Sequence, residues 1–138
     1  MLYFKLQELV DRVTFEKEGN KAWNYFQSNA LLALQNLREF FGVPFTINNW
    51  HIGGQFQFRG YRPAEYKGGA AHSQHRLGNA FDIDIKGYTA EEARKKIIEN
   101  QGNPLLMKIT RMEDKVNWVH IDCRPLPDSI KRIHLFKA

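Results

Sequence analysis

The stretch HSQHRLGNAFDID, residues 72 to 84, places His75 seven positions before Asp82. Its second half alternates. Asp82 and Asp84 fall on one face of an extended segment, and Phe81, Ile83 and Ile85 fall on the other. A half-buried strand that directs two carboxylates the same way gives them either water or a cation to face. Further along, NWVHID repeats the pattern, with Trp118, His120 and Asp122 on one face and Val119 and Ile121 opposite. His75, Asp82 and His120 together are the donor types of a catalytic zinc site, which keeps three protein ligands and leaves a fourth position open. Gly78 lets the backbone bend between the first two. Structural, hydrogen-bonded histidines have the same composition, so spacing alone leaves both readings open.

The elements that must position these residues read as follows. Residues 3 to 13 suit a short helix with Phe4, Leu6, Leu9, Val10 and Val13 on one side, ended by the polar break EKEGN. From 21 to 41 the spacing of Trp23, Phe26, Ala30, Leu31, Leu34, Leu37 and Phe41 is helical, and Gly42 is a good stop. FTINNW and QFQFRGYR alternate as two strands separated by a turn at Gly53 and Gly54, the second ending near Gly60. Residues 62 to 74 are a loop by composition. A strand at 79 to 86 precedes the helix GYTAEEARKKIIENQG, with Thr89 as N-cap and Glu92 at the capping-box position. LLMKITR and VNWVHIDC form a hairpin about the turn MEDK. A last short helix starts near Asp128. The pattern predicts an α+β domain: an antiparallel sheet with N-terminal helices and one crossing helix.

At 138 residues the chain is read as a single domain over residues 1 to 138, able to close a core by itself. Its 43% hydrophobic share is ordinary, and a net charge of +5 suits polyanionic surroundings such as a cell wall. The single cysteine, Cys123, excludes a disulfide framework and a multi-cysteine zinc cluster. Any metal must therefore rest on histidine and carboxylate. No apolar run spans a bilayer, so no membrane span is expected. Lys and Arg are scattered without a stripe or a recognisable motif, which argues against a nucleic-acid partner.

SQHRLGNAFD, Ser73 to Asp82, matches S-x-H-x-x-G-x-A-x-D, and WVHID, Trp118 to Asp122, matches a second signature, an apolar pair followed by His-x-Asp. With GYR at Gly60 to Arg62, the glycine pair Gly68-Gly69 and the upstream LLALQNLREFFGVPFTINN, the chain resembles the zinc D-Ala-D-Ala carboxypeptidases and L-Ala-D-Glu endopeptidases of peptidase family M15, over roughly residues 25 to 125. The resemblance implies the hedgehog/DD-peptidase fold and Zn2+ held by His75, Asp82 and His120. It implies that Arg62 holds a substrate carboxylate or carbonyl, a task suited to a planar guanidinium. Ser73 is expected to orient the loop or the substrate. Asp84 and Asp122 are candidates for fixing the imidazole tautomers. His51, His72 and His134 are not expected among the metal ligands.

Amide hydrolysis through a metal-activated water needs a group that takes the water's proton and returns it to the leaving amine. Many members of that family carry Glu or Asp three residues before the last histidine; here Asn117 stands there and cannot accept a proton. Glu113 and Asp114 are the nearby carboxylates and the candidate catalytic residues. Asp114 has the spacing of the acid in the hedgehog-type branch. A fully extended run of six residues would hold it roughly 20 Å from His120, so it serves only if EDKVN folds back. His51 or the metal hydroxide itself is a further candidate.

The resemblance thus implies a zinc peptidase acting on peptidoglycan stem peptides, expected as a monomer. The alternative is a zinc-stabilised module that binds wall peptide or a protein partner without cutting. No signal segment is evident in MLYFKLQELVDRV, so the chain is expected to be made in the cytoplasm and to reach the wall with help, as a phage endolysin or a virion component would.

Overall fold

A computed structural model describes residues 1–69, 73–130 and 132–137. Helix α1 spans Arg12–Glu18, α2 Ser28–Phe41 and α3 Ala90–Glu99. Strands are β1 Phe45–Thr46, β2 Ala80–Ile85, β3 Arg111–Glu113, β4 Val119–Asp122 and β5 His134–Phe136. The sheet runs β1-β2-β4-β3-β5, and α3 crosses between β2 and β3 in the chain. The fold is α+β, as expected, with an antiparallel sheet extended by one strand: β5 pairs parallel to β3, which makes the sheet mixed.

The apolar face of the sheet makes the core. Phe81, Ile83 and Ile85 of β2, Val119 and Ile121 of β4 and Met112 of β3 are all buried, as are Leu34 and Leu37 of α2 and Ile97 of α3. Because side chains alternate along a strand, burying this set turns Asp82, His120 and Asp122 to the opposite face together. The β2–β4 register sets Asp82 against His120 and Ala80 against Asp122. α3 begins with the expected capping box, Glu92 N–H donating to Thr89 Oγ1 at 3.1 Å and Thr89 N–H to Glu92 Oε1 at 2.8 Å.

The N-terminal elements differ from expectation for a local reason. Asp11 accepts the Thr14 N–H at 3.0 Å, so α1 starts at Arg12 rather than near residue 3 and runs through most of the EKEGN break. Only Leu6–Glu8 is helical before it, as a 3-10 turn, and Val13 is exposed. The expected helix at 21 to 41 is also divided. Gly19–Tyr25 is 3-10, Phe26 is extended, and α2 starts at Ser28, because the Gln27 N–H donates to Gly78 O at 3.0 Å.

Residues 55 to 62 alternate but form no strand. Asn48 Oδ1 takes the Arg59 N–H at 3.0 Å, and the backbone of the segment meets that of β2 through a single bond, Asp82 N–H to Arg59 O at 2.7 Å. FTINNW shortens to β1 alone. The hairpin of β3 and β4 is present, although its first strand begins at Arg111 after a 3-10 turn at Pro104–Leu106. The C-terminal helix is replaced by β5. Arg132 donates to the carbonyls of Leu106, Met107 and Ile109, which pins the chain beside β3 and favours a strand there. Among the described residues no helix is long and apolar enough to cross a membrane.

Candidate metal centre

His75 lies in a 3-10 turn, Gln74–Leu77, between β2 and the loop before it. Ser73 caps that turn, its Oγ accepting the His75 N–H at 3.2 Å. Gly78 closes it with φ +66°, and a Cβ there would stand 1.9 Å from Tyr25 O, so only glycine fits on both counts. The GYR segment lies against the turn, with the Arg62 N–H on His75 O at 3.2 Å. Gly60 is equally confined: a Cβ on it would meet Leu9 O at 2.2 Å.

One carboxylate oxygen gathers both imidazoles. Asp82 Oδ1 is 3.2 Å from His75 Nε2 and 2.9 Å from His120 Nδ1, and one ligand atom from each of the three residues lies within 4.8 Å of the others. All three side chains are buried. The far nitrogens are also occupied, His75 Nδ1 by Gly60 O at 2.8 Å and His120 Nε2 by Asp122 Oδ2 at 2.8 Å. Asp122 is held in turn by Arg111, whose Nη2 and Nε donate to it at 2.8 and 3.0 Å. Metal-ligating histidines take this form, each donating its other N–H to a carbonyl or carboxylate that fixes tautomer and ring.

The donor chemistry fits a cation. A carbonyl only accepts, so His75 Nδ1 carries the proton. Burial holds the His75 pKa below its ordinary value even with Asp82 beside it, so the ring is neutral and Nε2 presents a lone pair. Burial works to raise the Asp82 pKa, but His75 and His120 outweigh it and keep the carboxylate ionised. A lone pair and an ionised carboxylate at 3.2 Å call for positive charge between them. His120 supplies some of it: burial opposes its charge, but bonds to Asp122 and Asp82 push its pKa up to about 9. Two imidazoles and one carboxylate are the donors zinc prefers.

The three residues line a cleft of about 460 Å³ whose walls include Arg62, Tyr66, Ser73, Arg111, Glu113, Trp118, Arg124 and Phe136. Arg62 is anchored by Nε to Phe58 O at 2.8 Å and reaches Asp82 Oδ2 with Nη2 at 3.2 Å. Glu113 shares the β3 face of Arg111. Continuing the β3–β4 register by one residue sets it opposite His120. The structure does not bring Asp114 to this cleft. Asp114 stands 3.7 Å from Arg94 Nε and lines a separate cavity of about 670 Å³ with Asn117, so EDKVN does not fold back toward His75, Asp82 and His120.

Asp84 turns to Arg59, at 2.9 Å, and not to either imidazole. His51 packs on Trp50 outside the cleft lining, His134 is exposed on β5, and His72 lies outside the described residues. Sequence reasoning missed Arg111, the Gly60 carbonyl and Phe136, whose ring lies 5.4 Å from that of His120. Gly60 sits in the GYR segment and could have been sought there; Arg111 and Phe136 become neighbours only through strand pairing.

A family model described as Peptidase M15 matches residues 2–122. No curated protein and no solved structure matches the chain.

Proposed function

The chain belongs to the peptidase M15 family, and from that premise we propose that it is a zinc metallopeptidase that hydrolyses an amide bond in peptidoglycan stem peptides. The observation that carries this reading is the convergence of His75 Nε2, His120 Nδ1 and an Asp82 oxygen at the floor of the cleft, with both outer imidazole nitrogens already bonded. His75, Asp82 and His120 would hold the ion. When bound there it supplies Lewis acidity to the scissile carbonyl and activates a water for attack.

The remaining tasks fall to the chain's own groups. Of Glu113 and Asp114, Glu113 is the one that lines the cleft, and its place opposite His120 suits a base that takes the water's proton and returns it to the leaving amine. Arg62, held by Phe58 O, presents its guanidinium beside Asp82, where it can hold a substrate carbonyl or carboxylate. Ser73 fixes the turn that carries His75. Tyr66, Trp118 and Phe136 give the cleft apolar walls against which a peptide can pack. The net charge of +5 favours an anionic wall.

The bond cut is of D-Ala-D-Ala carboxypeptidase or L-Ala-D-Glu endopeptidase type. Mass spectrometry of muropeptides after digestion of purified peptidoglycan by the zinc-loaded protein tests the reading, with His120→Ala as control. New products of defined mass from the native protein alone support it and identify the bond. Equal products from both would leave a module that holds zinc and binds wall peptide without cutting.

A further inference from the structure

Three guanidiniums line the metal cleft, and they are not equivalent. Arg62 is committed to Phe58 O and Asp82. Arg111 is committed to Asp122 and lies with its guanidinium carbon 3.9 Å from the centre of the Phe136 ring. Arg124 differs from both. Its backbone N–H donates to Asp122 Oδ1 at 3.1 Å, so its main chain is tied to the same carboxylate that orients His120. Its guanidinium has no hydrogen-bond or ion-pair partner among the described residues, and the residue is exposed. Arg124 also lines an adjoining cavity of about 590 Å³ with Gln27, Asn29, Gln74 and Asn79, a lining that contains no Asp or Glu.

A fixed main chain with an uncommitted planar fork, placed where the metal cleft opens into a carboxylate-free polar space, is arranged to receive a carboxylate from outside the protein. We propose that Arg124 is a substrate-positioning residue that binds a carboxylate of the stem peptide next to the scissile bond. The inference rests on the peptidase reading. It divides labour between two arginines: Arg62 acts at the metal, and Arg124 acts one step out along the bound peptide. The carboxylate can be a free C-terminal one or the one carried by an internal acidic residue, and amidation separates the two.

The test uses zinc-loaded native protein, Arg124→Lys and Arg124→Ala on three synthetic stem peptides: one fully acidic, one with its C-terminus amidated and one with its internal acidic residue amidated. For the native protein, one amidation raises KM about tenfold or more while kcat holds, and it identifies the carboxylate. Arg124→Ala raises KM for the acidic peptide by a similar factor, leaves the sensitive amide unchanged and keeps the native melting temperature. Arg124→Lys recovers part of the loss. Equal KM for all three peptides with the native protein, or an Arg124→Ala variant that keeps the native preference, would overturn the proposal. If the native protein cleaves none of them, the peptidase reading fails separately. Calorimetric binding of the same peptides then decides: a preference for the acidic form that Arg124→Ala abolishes upholds the carboxylate site, and equal binding overturns it.

Discussion

Asp122 holds His120 Nε2 at 2.8 Å from one oxygen while Arg111 grips the same carboxylate through two nitrogens. Asp122 is fully buried behind the imidazole, and although burial works to raise its pKa, the bonds from His120 and Arg111 keep it ionised. The chain Arg111–Asp122–His120–Asp82 therefore sets which His120 nitrogen faces the cleft. Asp122→Asn keeps the shape but removes the charge that fixes the tautomer. Zinc affinity should fall about 10–100-fold by calorimetry, with His75, Asp82 and His120 still in place.

Glu113 and Asp114 are adjacent in sequence and stand in different cavities. Glu113→Gln should lower kcat by about 10²–10⁴-fold while zinc stoichiometry stays native, since a neutral amide cannot take the water's proton. Asp114→Asn removes one charge beside Arg94, which still donates to Trp118 O, and should leave kcat within about threefold, because the pair stands in the other cavity. The two variants compared on one peptide provide the measurement.

The turn that carries His75 depends on Gly78. Gly78→Ala would put a methyl group against Tyr25 O at a positive φ, and Phe26 is close behind it. The variant should lose more than about 2 kcal/mol in urea unfolding, from backbone strain and steric overlap together. Zinc should recover part of that loss, since an ion that binds only the folded state stabilises it.

Burial pushes the Cys123 thiol up to about 12, with the Asp122 carboxylate adding to the effect. The folded chain thus keeps this proton where the unfolded chain releases it. The sign follows: the contribution to stability is complete below the ordinary thiol range and is lost as pH rises through that range toward 12. At pH 8 iodoacetamide should label Cys123 at least about 100-fold more slowly in the folded protein than in urea.

The clustering of Asp82 with His120 was legible because strand alternation has a period of two, so burying Phe81, Ile83 and Ile121 necessarily turns both to the other face. The helical spacing of Ala30 to Phe41 and the capping box at Thr89 were equally local signals. What escaped the sequence was non-local. The apparent helix from 21 to 41 breaks where Gln27 bonds Gly78, a residue far along the chain. QFQFRGYR has strand alternation, but Asn48 takes the Arg59 N–H that a ladder would need. β5 exists because Arg132 is anchored on carbonyls of residues 106 to 109, and no local propensity records that. Arg111 and Phe136 reach the cleft only through those pairings, as does the placement of Glu113 opposite His120.

The central claim is that His75, Asp82 and His120 hold one ion, and anomalous diffraction at the zinc edge from crystals of the zinc-loaded protein tests it most directly. The account predicts a single strong peak about 2.0–2.2 Å from His75 Nε2, His120 Nδ1 and an Asp82 oxygen, with a coordination position open to the cleft. A peak elsewhere on the chain, with both imidazoles still bonded directly to Asp82 Oδ1, would contradict it.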